Sequence, residues 1–282
     1  LLRQMGCHTV VRCSDPIPER YAFLAVEETP DTVDENAAVI LSVDVADRKL
    51  LGDLDEPYGG RVALAIDHHI MHRSFAKACC LYPKAAAACE IVYAIAKELP
   101  VKLTPQIATC LYTGMATDTG CFQFDNVTPH TLRIVADLME QFPEIHYAWI
   151  NRAMFAVKSM GRLRVEQKLI DQLHTSCNGK CVMICITLAF MEQYGLDPLD
   201  LDGLAGFPLQ VEGAEVGITL KERDPNVFKV SMRSARTVDV AAICKEFGGG
   251  GHIKAAGCLI EGTAESVMQR LQTAVERSLA ES

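Results

Sequence analysis

The sequence predicts an α/β fold in two parts: a domain with a mostly parallel sheet, then a smaller α/β domain with a mixed sheet, joined by a connecting helix. Three observations support this. Apolar strand-like runs alternate with helix-like segments in the first half, a pattern typical of parallel sheets. The strand pattern restarts after Ser176 and includes a hairpin turn at 224–226. The 282 residues are enough for two domains of ordinary size.

Two apolar runs in the first half each end at an aspartate. Residues 37–43 predict a buried strand that ends at Asp44, and residues 61–66 predict a second strand that ends at Asp67. Open α/β sheets bind their ligands at the carboxyl ends of such strands, so these acids are candidate site residues.

Helical segments separate and follow these strands. Helical composition covers 85–98 and 105–116, and Thr128-Pro129 predicts an N-cap followed by Pro at the first helical position of a helix through about Gln141. Residues 152–174 have the spacing of a connecting helix. The second half predicts strands at 181–187, 214–221, 227–232 and 255–260, and helices at 238–247 and 263–279. We therefore expect a first domain over 1–154, a connecting helix over 155–176 and a second domain over 177–282.

Composition limits the classes of partner. A net charge of −9 argues against a surface that wraps long duplex nucleic acid. No apolar run reaches the length that spans a membrane, so no membrane partner is expected. Most of the 12 cysteines lie in apolar segments and lack a Cys-x-x-Cys spacing, which indicates reduced thiols and a cytoplasmic location. The opening residues show no charged region followed by an apolar core, so no signal peptide is expected.

Acids and histidines form the clearest candidate site. Asp67, His68 and His69 directly follow a predicted strand, and Asp44 and Asp118 close two other apolar segments. Mixed carboxylate and imidazole ligands suit Mn²⁺ or Mg²⁺, whereas thiolates would select zinc. Two such ions can activate a water and stabilise the leaving oxygen of a phosphate ester.

A glycine run in the second half is a candidate anion site. Gly248 to Gly251 are four consecutive glycines, which allow backbone N–H groups to approach an anion, and His252 follows them. Arg233 closes a strand-like run and could bind a phosphate through two hydrogen bonds. These residues predict a phosphate-binding element distinct from the acid and histidine cluster.

These motifs together resemble those of the DHH/DHHA1 phosphoesterases, and within them the short two-domain NrnA type of bifunctional oligoribonuclease and pAp phosphatase. The similarity follows the family's order along nearly the whole chain. The matching segments are Val43-Asp44, Asp67-His68-His69, Thr117 to Phe124, Asn126 to Pro129, Ser231 to Ser234 and Gly248 to Gly257.

The resemblance implies a role for each site residue. Asp44 would bridge two divalent ions, Mn²⁺ first and Mg²⁺ as the alternative, with His68 and Asp118 as further ligands. His69 would contact the scissile phosphate, and Asp67 would orient a histidine. The substrate-binding residues would be Arg233, Ser234, Gly249, Gly250, Gly251 and His252, facing the metals across a cleft.

One family motif does not occur in these residues. The family begins with a His followed by Asp-x-Asp, and residues 1–24 resemble the segment that normally comes after it. We therefore expect this chain to carry part of the metal ligand set and to be impaired as it stands.

The implied activity is hydrolysis of short single-stranded RNA, from di- to pentaribonucleotides, and removal of the 3′-phosphate of pAp. A phosphodiesterase of cyclic dinucleotides such as c-di-AMP is the alternative within the family. A non-catalytic nucleotide-binding module is the alternative from another class, if the first motif is truly absent. The family resemblance leaves a homodimer open.

Overall fold

The computed structural model describes residues 1–24, 33–196, 201 and 203–281. The chain divides into two compact units, Leu1–Val157 and Lys158–Ser282. The first has a parallel three-stranded sheet and the second a mixed six-stranded sheet, which confirms the predicted fold class. Among the described residues, no helix combines the length and apolar character needed to cross a membrane.

The first unit places its sheet before its longer helices. The strands lie in the order β1-β2-β3, and the site described below forms at their carboxyl ends. The elements are β1 Ile40–Val43, α1 Asp55–Tyr58, β2 Val62–Asp67, β3 Ala78–Leu81, α2 Ala88–Glu98, α3 Pro105–Asp118, α4 Pro129–Gln141 and α5 Tyr147–Asn151. Short 3-10 helices cover Leu2–Met5, Glu19–Leu24, Arg48–Leu54 and Gly59–Arg61, and a π-helical turn covers Arg152–Ala156.

The first-unit core is mainly helical. Met115, Leu138 and Ile150 from α3, α4 and α5 are almost completely buried in one cluster. The predicted N-cap at Thr128 is confirmed: its Oγ1 accepts from the Thr131 backbone N–H, and the Thr131 Oγ1 accepts from the Thr128 backbone N–H. This reciprocal capping satisfies donors that the first helical turn would otherwise leave unpaired.

The prediction of a buried strand over 37–43 was wrong in two respects. The strand begins at Ile40, and Leu41 and Val43 are 39% and 49% exposed. The reason is that β1 is an edge strand, and its alternate side chains point to opposite faces, so that Ser42 is buried while its neighbours are not.

The second unit is built on the strand order β4-β5-β6-β7-β9-β8. Among the strands in the described part of this unit, β5 and β6 are the only parallel pair, and the predicted hairpin joins the antiparallel β6 and β7. The elements are α6 Met160–Ile170, β4 His174–Ser176, β5 Cys181–Ile186, α7 Leu188–Tyr194, β6 Val216–Asp224, β7 Val227–Ser234, α8 Val240–Glu246, β8 Gly250–His252, β9 Ala255–Glu261 and α9 Ala264–Glu281. A 3-10 helix covers Leu204–Gln210.

Two cores lie on opposite faces of this second sheet. Val230 and Met232 of β7 pack with Val267 and Leu271 of α9, and all four side chains are fully buried. Ile184 of β5 packs on the other side with residues of α6 and the Leu204–Gln210 segment. β5, which is buried except at the partly buried Cys185, thus has apolar neighbours on both faces, as its continuous apolar sequence predicts.

Candidate metal centre and nucleotide-binding face

Two aspartates stand side by side at the carboxyl edge of the parallel sheet. Asp67 is the last residue of β2, and Asp44 follows β1, where its backbone N–H donates to the Ile66 carbonyl at 2.9 Å. Asp44 has a φ of 62°, in the left-handed region that non-glycine residues seldom adopt. The sheet therefore holds the Asp44 backbone in a turn that projects its carboxylate beyond the strand ends.

The turn after β2 brings imidazole nitrogens to these acids. The His68 Nε2 lies 3.4 Å from Asp44 Oδ1 and 3.3 Å from Asp118 Oδ2. Asp44, His68 and His69 each offer a ligand atom, and these atoms lie within 4.8 Å of one another. Sequence segments centred on residues 44, 68 and 118 thus converge on one volume.

The tautomer of His68 is fixed by the backbone. Its Nδ1 lies 3.0 Å from the Ala85 carbonyl, which can only accept, so Nδ1 carries the proton and Nε2 faces the carboxylates. The hydrogen bond to Asp44 raises the pKa of His68 to about 9, against the effect of burial, with Ala85 and Asp118 acting in the same direction as Asp44. A cation is therefore favoured at Nε2, which is the nitrogen that a metal would use.

Asp118 occupies an unfavourable place for an anion. It is the last residue of α3, where the helix dipole is negative. Burial raises the pKa of Asp118, the Asp44 carboxylate raises it further, and His68 and His69 oppose the rise. A divalent cation between Asp44 and Asp118 would relieve this repulsion, so the donor set fits a hard or borderline metal ion.

Asp67 supports the turn that carries His68 and His69. Its Oδ1 accepts from His69 Nδ1 at 2.7 Å and from the backbone N–H groups of His68 and His69. Burial works against ionisation, yet these bonds and one from His72 together lower the pKa of Asp67. The buried carboxylate thus fixes the orientation of the His69 ring.

His72 is a contact residue that sequence reasoning missed. Its Nδ1 lies 2.6 Å from Asp67 Oδ2, and the His72 and Asp67 side chains are 2% and 1% exposed. The position lies three residues beyond His69, outside any motif. The only available signal was a third histidine in a short segment after a strand.

The second unit aligns two of the predicted phosphate-binding residues. Arg233 on β7 pairs with Ala255 on β9, and Ala255 pairs with His252 on β8. Directly paired residues share one face of a sheet, so Arg233 and His252 project from the same face with a small residue between them. Gly257 and Gly250, paired with each other two residues further along, keep that face free of large side chains. We call the surface formed by Arg233, Ala255, His252, Gly257 and Gly250 the open face.

Glycine serves different structural purposes at different positions of the run. A Cβ on Gly249 would lie 2.2 Å from the Gly257 carbonyl oxygen, and one on Gly251 would lie 2.5 Å from the Ala255 carbonyl oxygen. These two glycines let β8 approach β9 closely. Gly250 has nothing within 4 Å of such a Cβ, so its space is available to a ligand.

Ser234 is not brought to the open face. It is 7% exposed, and its Oγ donates to Glu215 Oε1 at 3.4 Å. As the neighbour of Arg233 on a strand, it points to the opposite side. Arg233 itself is partly buried, its Nη1 donates to the Met232 carbonyl at 2.9 Å, and burial lowers its pKa.

Comparison with known proteins agrees with both units. Residues 178–281 match the model of the DHHA1 domain. The bifunctional oligoribonuclease and PAP phosphatase NrnA of Thermus thermophilus is 31% identical over 94% of this chain and 79% of its own length. The protein of the same name from Bacillus subtilis is 25% identical over 92% of this chain and 82% of its own length.

The fold has a match among solved structures. An exopolyphosphatase-related protein from Bacteroides fragilis superposes with a TM-score of 0.76 at 24% identity, covering 85% of this chain and 71% of its own. A parallel sheet with acids and histidines at its carboxyl edge, followed by a DHHA1 domain, defines a class of phosphoesterases that generally depend on divalent metals. The chain belongs to the DHH/DHHA1 phosphoesterase family and is of the NrnA type, which confirms the resemblance drawn from its motifs.

Proposed function

We propose that this protein hydrolyses short oligoribonucleotides to mononucleotides and removes the 3′-phosphate of pAp, using two divalent ions, with Mn²⁺ preferred over Mg²⁺. The observation that carries the proposal is the convergence of Asp44, His68 and Asp118, with His68 Nε2 within 3.4 Å of both carboxylates. The names of the NrnA relatives support the two substrates.

In this proposal Asp44, His68 and Asp118 would be the residues that hold the divalent ions. Bound divalent ions would polarise the phosphate oxygens and activate a water at neutral pH. His68 Nδ1 is engaged by the Ala85 carbonyl, so Nε2 is the nitrogen that would bind an ion, in place of the proton that the Asp44 carboxylate favours there. Ligands from the family's first motif would add to this set, and we therefore expect weak turnover by the 282 residues alone.

His69 and Asp67 are the proposed catalytic pair. Asp67 holds the Nδ1 of His69 at 2.7 Å, and the His69 side chain is 38% exposed, so one edge of the ring is accessible to substrate. We assign His69 to contact with the scissile phosphate. Asp67, almost fully buried, would position the ring and restrict its rotation.

The open face of the second unit is the proposed nucleotide-binding surface. Arg233 and His252 would contact a phosphate, and Gly249, Gly250 and Gly251 would let it approach the backbone. Among these glycines, the structure leaves most room at Gly250. Ser234 would act indirectly, because its hydroxyl is turned toward Glu215.

A kinetic comparison of two variants tests this assignment. Asp44→Ala should lower kcat by at least about 100-fold, because it removes a ligand needed in the transition state. Arg233→Ala should mainly raise KM for pAp and for diribonucleotides, because a phosphate clamp is engaged equally in ground and transition states. Lys229→Ala, on an exposed position of the same strand, is the matched control.

The assay uses pAp, di- to pentaribonucleotides and cyclic di-AMP, with Mn²⁺ and with EDTA, on the chain alone and on a chain carrying the family's first motif upstream. Turnover that persists in EDTA would refute metal dependence. A preference for cyclic di-AMP would replace the proposed substrates with the cyclic-dinucleotide alternative. An unchanged KM in Arg233→Ala for every substrate would remove the open face from the binding site.

A further inference from the structure

A second arrangement of reactive groups lies on the other side of Asp67. Its Oδ2, the oxygen that does not contact His69, accepts from His72 Nδ1 at 2.6 Å. The opposite ring nitrogen, His72 Nε2, lies 3.8 Å from the Sγ of Cys79. Acid, imidazole and thiol therefore form a continuous chain, of which the proposed phosphoesterase chemistry uses only Asp67, through its other oxygen, Oδ1.

The direction of hydrogen bonding in this chain follows from the acid. Because His72 Nδ1 lies 2.6 Å from a carboxylate oxygen, Nδ1 is the nitrogen that donates, and Nε2, the acceptor of the ring, faces Cys79. The His72 side chain is 2% exposed, and its ring stacks on Phe75 at 5.8 Å between centroids. A buried, oriented base beside a thiol is the arrangement that activates a cysteine nucleophile.

Cys79 is accessible, unlike its two partners. It lies on β3 and is an exposed free cysteine, whereas His72 and Asp67 are buried. A hydroxyl group, Ser74 Oγ, lies 3.5 Å from its Sγ and can donate to a sulfur that loses its proton. Cys7, Cys13 and Cys110 are also exposed free cysteines, and they provide a comparison within the same molecule.

We propose that Cys79, activated by the buried His72 and Asp67 pair, is a modification site at which peroxides oxidise the thiol to a sulfenic acid. The Sγ proton passes to His72 Nε2, and the resulting thiolate attacks one peroxide oxygen. The S–O bond forms as the O–O bond breaks, and the leaving hydroxide accepts the proton from His72 Nε2 to become water. Sulfur is oxidised by two electrons, the peroxide is reduced, and His72 returns to its neutral form.

The test measures each exposed cysteine separately in the full reduced chain. Hydrogen peroxide is added in the presence of EDTA, so that metal-catalysed oxidation does not contribute, and dimedone traps sulfenic acids for peptide mass spectrometry. Cys79 should be labelled at least about tenfold faster than Cys7 and Cys13, a modest share of what a positioned base can supply. Equal rates at Cys79, Cys7 and Cys13 in the native chain would overturn the proposal.

A matched pair of variants separates activation from simple exposure. His72→Asn keeps a donor for Asp67 but removes the Nε2 acceptor, so the Cys79 rate should fall to that of Cys7. His130→Asn, at an exposed histidine in the first turn of α4, should leave the rate unchanged. Circular dichroism establishes that each variant is folded.

A second measurement covers the case in which His72→Asn does not fold. In the unmodified chain unfolded by urea, the advantage of Cys79 should disappear, because the His72 contact is lost while the local sequence stays the same. If Cys79 remains faster in urea, or in folded His72→Asn, its reactivity comes from its sequence neighbours and the proposed activation is wrong.

Discussion

Glu215 places a negative charge inside the second unit, where backbone donors hold it. Its Oε1 accepts from the N–H groups of Arg236, Thr237 and Val238 at 3.0, 2.7 and 3.2 Å. Burial opposes ionisation, but these three bonds together lower the pKa of Glu215 below its ordinary value of 4.5. The ionised carboxylate therefore ties β6 to the segment that follows β7.

This residue gives a pH-dependent prediction. Because the folded pKa is lowered, the stabilisation by Glu215 is present above about pH 4.5 and is lost as the pH falls through the folded value. Glu215→Gln should cost about 1–2 kcal/mol of unfolding free energy at pH 7, and the cost should shrink as the pH falls below about 4.5. Urea unfolding at each pH measures it, with exposed Glu212→Gln as the control. A cost that stays constant with pH would contradict the charge-based account.

At the scale of elements, the close approach of β8 to β9 depends on particular glycines. Gly249→Ala should destabilise the second unit by about 1–3 kcal/mol, because the new methyl would overlap the Gly257 carbonyl and Cys258. Gly250→Ala should leave stability nearly unchanged but raise KM, because its methyl enters the open face. Thermal unfolding and pAp kinetics on both variants distinguish the two roles. The prediction fails if both substitutions lower stability equally.

The contact between α2 and α3 leads to a similar prediction, in which a second substitution should restore the lost stability. A Cβ on Gly114 of α3 would lie 2.2 Å from the Sγ of Cys89 on α2. Gly114→Ala alone should therefore destabilise the first unit, although alanine is the better helix former by about 1 kcal/mol. Adding Cys89→Ala should recover most of the loss. A double-mutant cycle measures the coupling, and simple additivity would show that the steric reading is incorrect.

At the scale of the whole molecule, the two units should respond differently to metal. The only tryptophan, Trp149, lies in the first unit, where its ring packs edge-on to Phe23 at 5.1 Å. Tryptophan fluorescence should therefore follow unfolding of the unit that holds the Asp44 cluster. Mn²⁺ at about 100 times its Kd should add about 2.7 kcal/mol to the stability of that unit.

The measurement compares thermal midpoints by fluorescence with and without Mn²⁺. Asp44→Ala should remove the shift, whereas Asp125→Ala, an exposed acid of the same unit outside the cluster, should keep it. A shift of equal size in Asp44→Ala would place the ion elsewhere.

The sequence predicted those parts of the fold that depend on local signals. Thr128 and Pro129 predicted the start of α4, because capping is a property of a few adjacent residues. The short β3 and β8 were missed, since Ala78–Leu81 and Gly250–His252 become strands only through pairing with β2 and β9. The chain fold also decides which way Ser234 points.

The candidate site divides in the same way. The sequence could indicate a set of site residues because each belongs to a recognisable motif: Asp44, His68, His69 and Asp118. Their spatial convergence is seen only in the fold. His72 carries no motif, and its contact with Asp67 arises because the turn after β2 folds back under the strand end. Sequence alone could therefore suggest the ligands of the proposed metals, but not the contact of Asp67 with His72.

The left-handed backbone at Asp44 implies a trade-off between thermal stability and activity. An aspartate with φ at 62° costs up to about 1 kcal/mol relative to glycine, which adopts this conformation freely. Populations screened only for survival at high temperature should therefore accumulate Asp44→Gly, while populations that must also use the substrate should retain the acid. Retention of aspartate at this position, despite its cost in stability, would indicate continued selection for activity.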